Sequence, residues 1–271
     1  MIIGPLAFDA DSEKERIASF VRRIVRGAAA KGVVLGLSGG VDSAVAGAIA
    51  VEALGKKRVT GLLMPSASTP KADVEDARKL ARGWGIRSHE IPIGGIVAAL
   101  EGASDFEGTK LAKANLQARA RMTVLYYYSN SKNLLVLGTG DRSEVESGFF
   151  TKWGDGGVDL LPIAHLYKTQ VRALGKSMGL PKRVVEKPAS PQLWTGHKAE
   201  DELPAPYEKL DLVLYCLFDE DLSKSRVAKK AEVPVAVVEE ALRMNKRSEH
   251  KRRMPPSLSP AQNFRLISTK D

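Results

Sequence analysis

A short segment rich in glycine and hydroxyl residues, GLSGGVDS at 36–43, directly follows an apolar run at 33–35. Gly39 and Gly40 give the backbone the freedom that a tight strand-to-helix turn needs. The same composition is typical of a phosphate cradle, in which backbone amides and hydroxyls face an anion at the start of a helix. The one acid of the segment, Asp42, would repel a phosphate unless a cation lay between them. Mg²⁺ suits that position, because it binds one or two carboxylates together with the phosphates of a substrate.

The spacing of this segment differs from that of GxxxxGK[ST], the phosphate-binding loop that has a lysine after its second glycine. Here Val41 and Asp42 follow the paired glycines. The two hydroxyls and the small residues between them suit a free pyrophosphate or the phosphate tail of ATP. SGGVDS resembles the PP-loop of the N-type ATP pyrophosphatases, which split ATP into AMP and pyrophosphate while adenylating a substrate.

Three further segments carry polar and charged residues in a fixed order along the chain. They are NLQARARM at 115–122, GTGDRSEVESGFFTKWGDGGVDLLPI at 138–163 and SEHKRRMPPS at 248–257. Together with the PP-loop, this ordered set closely resembles the ammonia-dependent NAD synthetases. The resemblance runs from about residue 10 to 257, which is nearly the whole chain.

The resemblance implies a role for each matching residue. Asp42 and Glu144 would complete a Mg²⁺ site beside the phosphates of ATP. ATP binding is implied for Gly36, Leu37, Ser38, Gly39, Gly40, Val41, Asp42, Ser43, Thr139, Lys168 and Ser190. Binding of deamido-NAD is implied for Arg119, Lys152, Asp159, His250 and Lys251.

The reaction that the resemblance implies has two steps. ATP adenylates the nicotinic-acid carboxylate of deamido-NAD, and ammonia then displaces AMP to leave NAD. The implied cofactor is Mg²⁺, and the implied active unit is a homodimer with the substrate site near its interface. We expect free ammonia as the nitrogen donor, because the chain leaves no room for a glutamine-hydrolysing domain and Cys216 lacks the context of a nucleophile.

The residue types suit this chemistry on physical grounds as well. Attack of a carboxylate on the α-phosphorus brings negative groups together, so cations must screen them. Lys152, Lys168 and Lys251 are the candidate point charges. The second step needs neutral NH₃, and either Asp155 or Asp159 is a candidate for handling the proton of ammonium. The candidate catalytic residues are therefore Asp42, Lys168, Lys152 and Asp155.

The elements that must position these residues alternate between strand and helix. The sequence predicts short strands at 33–37, 58–64, 87–91 and 133–138, and helical spacing predicts helices at 12–30, 43–54, 72–84, 94–101, 109–130 and 168–178. This alternation predicts an α/β fold with a doubly wound, mainly parallel sheet and helices on both faces. The resemblance implies the adenine nucleotide alpha hydrolase-like form of that fold. The glycine-rich segments that begin at Gly36 and at Gly138 both fall just past strand ends, where such sheets bind ligands.

The rest of the chain predicts a single domain over 1–271 with two additional features. Prolines without periodicity at 187–206 indicate a long loop, which we expect to be mobile and to act as a lid. A basic helical region is expected over about 207–257, with helices at 207–218, 223–232 and 234–247.

Composition limits the remaining alternatives. The net charge of +9 favours an anionic partner and leaves open a PP-loop enzyme that modifies tRNA bases, or a non-enzymatic nucleic-acid-binding protein. The chain lacks the paired cysteines that the first alternative would use for sulfur chemistry, since Cys216 is its one cysteine. The second leaves Asp42 and Glu144 unexplained, so we expect no nucleic-acid partner. The chain has no apolar run of membrane-spanning length and turns acidic too early for a secretory signal, so we expect a cytoplasmic protein without a membrane partner.

Overall fold

The computed structural model of the protein describes residues 5–190, 194, 196 and 199–256. Its centre is a parallel sheet of four strands in the order β3-β2-β1-β4. The strands are β1 (Val33–Gly36), β2 (Val59–Leu63), β3 (Arg87–Glu90) and β4 (Leu135–Val136). The chain builds the sheet outward from β1 to β3 and then returns to place β4 on the other side of β1. The order therefore reverses between β1 and β4, and the prediction of a doubly wound parallel sheet is confirmed.

Helices cover both faces of this sheet. Val33 and Leu35 of β1 pack into one apolar cluster with the first two helices, whereas Val34 packs into a second cluster on the opposite face. This alternation follows from the two-residue period of a strand. The described residues form the α-helices α1 (Ala10–Gly27), α2 (Val41–Leu54), α3 (Lys71–Trp84), α4 (Gly94–Gly102), α5 (Lys110–Lys132), α6 (Arg142–Ser147), α7 (Lys168–Ser177), α8 (Lys182–Val185), α9 (Tyr207–Phe218), α10 (Lys224–Ala231) and α11 (Val235–Arg247).

The last three helices form a separate apolar cluster, which confirms the helical C-terminal region. Leu210, Val227 and Val238 contribute to this cluster from α9, α10 and α11, and each is fully buried. Tyr167, just before α7, also packs into it and so joins the region to the sheet layer. In the part of the chain that the structure describes, no helix combines the length and apolar character needed to cross a membrane.

Two short helices and one strand differ from the sequence-based expectation. The fourth strand has only two residues, Leu135–Val136, instead of the predicted run at 133–138. The helices α6 and α8 were not predicted, because neither is long enough to show a hydrophobic period. Within the loop predicted at 187–206, residues 191–193, 195, 197 and 198 lie outside the described residues. The mobility of that loop and the single-domain assignment stay predictions.

Candidate active site

A cavity of about 790 Å³ opens at the carboxyl ends of β1, β2 and β4. It therefore lies at the point where the strand order reverses, which is where doubly wound sheets bind their ligands. One end is lined by the PP-loop and by the segment that follows β4. The other end is lined by Phe150, Asp155 and the pair His250–Lys251. The sequence segments singled out above thus meet around one continuous space.

The PP-loop is shaped by its glycines and its two serines. Gly39 has a φ of +77°, in the left-handed region that favours glycine. The hydroxyl of Ser43 donates to the carbonyl of Gly40 at 3.1 Å and lies 3.1 Å from the hydroxyl of Ser38. These bonds close the loop at the first turn of α2. The amino end of that helix, which carries a partial positive charge, faces the cavity.

Beside the loop, a fully buried ammonium group is held by three carboxylates. The Nζ of Lys168 lies 2.7 Å from Asp42 Oδ2, 2.9 Å from Asp141 Oδ2 and 3.1 Å from Glu144 Oε1. Of the predicted residues, the structure therefore brings Asp42, Glu144 and Lys168 together. The helix dipole disfavours a lysine at the start of a helix, and at the start of α7 these three acids compensate for it.

Asp141 is a site residue that the sequence reasoning missed. Its side chain accepts the backbone N–H of Glu144 at 2.8 Å, and Glu144 Oε2 accepts the backbone N–H of Asp141 at 3.3 Å. This reciprocal capping box begins α6 and holds both acids against Lys168. The signal was present as DRSE at 141–144, an acid followed three residues later by glutamate. Local capping rules would have found both the helix and the residue.

The charges of this cluster do not cancel. Three carboxylates surround one ammonium, so full ionisation leaves two negative charges in excess. Burial alone would lower the pKa of Lys168, but the three carboxylates raise it well above its usual range. Burial, together with repulsion from Asp141 and Asp42, raises the pKa of Glu144 well above its usual range. The cluster therefore favours an additional cation.

The donor atoms present fit a magnesium ion that is shared with substrate. Asp42 Oδ1 is buried and has no hydrogen-bond partner among the described residues, so a lone pair is free to accept a cation. Within those same residues, no group of three or more His, Cys, Asp or Glu side chains has the arrangement of a metal site. Two carboxylates completed by phosphate oxygens and water are the usual ligands of Mg²⁺. Asp42 and Glu144 are the residues that would hold it.

A second layer of hydrogen bonds fixes the elements that carry the cluster. Asp211 of α9 is fully buried and accepts the hydroxyl of Ser143 at 2.6 Å and the backbone N–H of Thr169 at 2.8 Å. The hydroxyl oxygen of Ser143 in turn accepts the backbone N–H of Lys168 at 2.8 Å. Asp211 therefore joins the start of α6 to the start of α7. Burial raises its pKa to about 7 against the hydrogen bonds from Ser143 and Thr169.

At the other end of the cavity, Lys251 and Asp155 form the walls. The Nζ of Lys251 donates to the carbonyls of Gly148 and Phe150, each at 2.7 Å. Asp155 accepts the backbone N–H of Thr151 at 2.9 Å, and burial raises its pKa. Burial also lowers the pKa of Lys251, while Asp155 opposes that change. The two groups therefore form a pair of opposite charges that faces the cavity.

The remaining predicted residues divide between the cavity wall and the outer surface. Thr139 and Ser190 line the cavity, but Arg119, Lys152 and Asp159 do not. Arg119 Nη2 donates to the carbonyl of Lys152 at 3.3 Å. Asp159 accepts the hydroxyl of Tyr126 at 2.9 Å and the backbone N–H of Val136 at 2.7 Å. Of the two acids considered for the ammonium proton, Asp155 faces the cavity and Asp159 supports β4.

Comparisons with known proteins give a consistent result. A sequence model described as NAD synthase matches residues 13–255. The chain is 48% identical over 257 residues to the NH(3)-dependent NAD(+) synthetase of Hyperthermus butylicus, covering 94% of this chain and 93% of that protein. A solved structure of the NMN synthetase from Francisella tularensis matches with a TM-score of 0.83 and 32% identity, over 94% of this chain and 100% of that chain. The NH3-dependent NAD synthetase from Campylobacter jejuni, solved with a nitrate ion, matches with a TM-score of 0.80 and 31% identity, over 93% of this chain and 100% of that chain.

Proposed function

The chain belongs to the NAD synthase family, and from this we propose that it amidates deamido-NAD with ammonia, using ATP and releasing AMP and pyrophosphate. This reaction is the final step of NAD biosynthesis. The observation that carries the proposal is the single cavity that joins the PP-loop to Asp155 and Lys251. One space therefore holds groups for a triphosphate and groups for a second substrate.

In the adenylation step, the protein's task is to hold two anions together. The hydroxyls and amides of the PP-loop bind the phosphate tail, and the start of α2 adds its partial positive charge. Lys168 keeps Asp42 and Glu144 at fixed positions beside that tail. Mg²⁺ held by these two acids would screen the phosphate charges during attack by the carboxylate. Positioning and electrostatics, rather than proton transfer, carry this step.

In the second step, ammonia attacks the acyl-adenylate and AMP leaves. We assign the proton of ammonium to Asp155, because this carboxylate faces the cavity and has a raised pKa. A carboxylate with a raised pKa accepts a proton more readily than an ordinary one. Lys251 supports this end by holding the carbonyls of Gly148 and Phe150. These bonds order the backbone that separates the two ends of the cavity.

We also propose that the active unit is a homodimer paired through α4 and α5. Of the large apolar side chains exposed among the described residues, most lie on these helices or between them: Ile96, Leu100, Phe106, Leu111 and Tyr127. Arg119 lies on α5, outside the cavity of its own chain. Pairing along α5 would cover the apolar surface and bring Arg119 and Lys152 to a dinucleotide bound by the other copy.

A second candidate substrate comes from the likeness to the NMN synthetase of Francisella tularensis. NMN lacks the adenylate half of NAD, so an enzyme that makes NMN by amidation takes the mononucleotide acid. The NH(3)-dependent NAD(+) synthetase of Hyperthermus butylicus is more similar to this chain, at 48% identity against 32% for the NMN synthetase. We propose the dinucleotide as the substrate, and a cytoplasmic location without a nucleic-acid or membrane partner.

One assay tests this function. The protein is incubated with ATP, Mg²⁺ and ammonium, together with either deamido-NAD or nicotinic acid mononucleotide, and the products are separated by chromatography. We expect NAD, AMP and pyrophosphate in equal amounts, with deamido-NAD strongly preferred. Formation of ADP, or no NAD above a control without enzyme, would contradict the proposal. Faster formation of NMN than of NAD would assign the mononucleotide as the substrate.

A further inference from the structure

A lysine at the start of the 187–206 segment holds the back of the PP-loop. The Nζ of Lys187 lies 3.0 Å from the carbonyl oxygen of Gly39, 2.6 Å from Asp73 Oδ1 and 3.1 Å from Asp76 Oδ2. An ammonium group has three N–H donors, and these three acceptors use all of them. Lys187 therefore has no donor left for a substrate in this arrangement.

The two acids belong to the first turns of α3 and are themselves buried. Asp73 and Asp76 are 7% and 2% exposed. The Nε of Arg183 lies 2.8 Å from Asp76 Oδ1, so two cations face two acids and the group is electrically neutral. Buried charges persist in proteins when they are paired in this way. The cluster is therefore a fixed support rather than a set of mobile surface charges.

The PP-loop is pressed against this support. A side-chain carbon added at Gly39 would lie 2.3 Å from the backbone oxygen of Asp73. The close approach leaves the peptide that joins Gly39 to Gly40 between α3 on one side and the cavity on the other. Ser38, Gly40 and Lys187 line the cavity, whereas Gly39 does not.

The planar geometry of that peptide makes its orientation important. The carbonyl and the N–H of one peptide point in opposite directions. The Gly39 carbonyl points to Lys187, and the Gly40 N–H points to the hydroxyl of Ser38 at 3.2 Å, on the cavity side. Rotation of the peptide would turn a carbonyl oxygen toward a bound phosphate. Because glycines flank it, that rotation has a low steric cost.

We propose that Lys187 is a positioning residue of the ATP site, which locks the Gly39–Gly40 peptide so that an N–H, and not a carbonyl, faces the phosphates. The inference rests on the proposed function, in which the PP-loop binds the phosphate tail of ATP. Lys187 acts through the backbone and does not touch the substrate. Lys187 itself lines the cavity, but Gly39, Asp73 and Asp76 take its three donors. Asp73 and Asp76 transmit the position of α3 to the loop.

Direct binding measurements separate this role from a purely structural one. The affinities of wild type and Lys187→Met for ATP and for adenosine are measured by calorimetry with Mg²⁺ and without deamido-NAD. We expect the dissociation constant for ATP to rise about 10- to 100-fold, as is typical for loss of a charged hydrogen bond, and that for adenosine to stay within about twofold. Inhibition by pyrophosphate should weaken in parallel with ATP binding.

Arg183→Met is the matched control, because Arg183 binds the same Asp76 but does not reach the PP-loop. We expect this variant to bind ATP with wild-type affinity. Unchanged ATP affinity in Lys187→Met, or equal losses in both variants, would overturn the role of Lys187. A wild-type protein that binds no ATP would instead overturn the proposed function.

Asp73→Asn distinguishes positioning from direct contact with phosphate and remains informative if Lys187→Met folds poorly. This change removes the negative charge of the 2.6 Å partner of Lys187 while keeping the side-chain shape. Positioning requires ATP affinity to fall, because the lysine is held less firmly against Gly39. Direct phosphate contact requires affinity to stay the same or to rise, because the lysine is released from an acid. Either of the latter results would overturn the proposal.

Discussion

The two ends of the cavity are built in different ways. At the PP-loop end, Lys168 is buried and lies within 3.1 Å of three acids from its own chain. At the dinucleotide end, Arg119 and Lys152 lie outside the cavity, and Arg119 makes a 3.3 Å hydrogen bond to a backbone carbonyl. Exposed apolar side chains lie on the same helix, including Leu111 and Tyr127. One end is arranged in advance by a single chain, whereas we propose that a second copy completes the other.

The difference follows from the cost of holding charge in the two places. Buried charges must be paired within the fold, because desolvation would otherwise force them to neutralise. Pairing also fixes their geometry, which suits a site that must bind a polyphosphate in one orientation. Exposed charges such as Arg119 are hydrated and gain little from local partners. In the proposed dimer they are available for a dinucleotide bound by the other copy.

The largest effect is expected from Lys168→Met. This change leaves one buried and two partly buried acids without their cation and should cost about 3–5 kcal/mol of folding free energy. At a temperature where the variant is folded, we expect kcat to fall about 10²- to 10³-fold. Lys176→Met, at the exposed end of the same helix, is the control and should retain both stability and rate. Steady-state kinetics with parallel thermal unfolding measure both effects, and a near-normal rate in Lys168→Met would remove the distinction between the two ends.

The second-largest effect is expected at Asp211, which joins the starts of α6 and α7 behind the cluster around Lys168. Burial raises the pKa of Asp211 to about 7 in the folded protein, from an ordinary value of 3.8. The folded state therefore holds this proton more tightly than the unfolded state does. Its contribution to stability is complete below pH 3.8 and is lost as the pH rises to about 7.

Asp211→Asn removes this titration while keeping the shape of the side chain. We expect the free energy of unfolding of the variant, relative to wild type, to increase by up to about 4 kcal/mol between pH 4 and pH 7.5. Urea unfolding at a series of pH values gives this difference. A constant difference across the range would show that Asp211 is ionised throughout, and that the outer layer of the site is organised differently from our description.

A smaller effect is expected from Arg119→Ala at the open end. The Michaelis constant for deamido-NAD should rise about tenfold, as expected for loss of one charged contact at a partly hydrated site, while ATP binding is unchanged. Lys113→Ala, an exposed lysine on the same helix, should alter neither constant. If Arg119→Ala weakened ATP binding instead, the two ends would not be functionally separate.

The smallest effect on turnover is expected from Tyr127→Glu, which places a charge on the exposed apolar surface of α5. Tyr127 is 78% exposed, so the isolated chain should fold normally. We expect the dimer dissociation constant to rise at least about tenfold by sedimentation analysis. Val235→Glu on α11 serves as the control and should leave assembly unchanged. Equal behaviour of the two variants would place the dimer surface elsewhere.

The sheet and most helices were predictable because long hydrophobic periods determine them. The buried runs at β1 and β2 and the periodic helices α1 and α3 appear within a few residues of their predicted bounds. The helices α6 and α8 were missed because six and four residues are too few to carry a period. For α6, the capping box formed by Asp141 and Glu144 was a local signal that predicts the helix without a hydrophobic period.

The site was predictable where a motif places a side chain, and not where tertiary packing does. SGGVDS identified Asp42, and the segment after β4 identified Glu144. That Lys168 lies between them depends on how α7 packs, which has no sequence signature. Lys187 is a further example, because its three partners come from the PP-loop and α3, more than 100 residues earlier in the chain.

The most direct test of the central claim is subunit complementation. Asp42→Asn disables the PP-loop end, and Arg119→Ala impairs the dinucleotide end. The two variants are unfolded together, refolded as a mixture, and assayed at a deamido-NAD concentration below the Michaelis constant. If Arg119 serves the cavity of the other copy, each mixed dimer contains one intact site, and activity should recover to about a quarter of wild type. If Arg119 serves its own chain, every site carries a defect, and the mixture should be no more active than the average of the two variants.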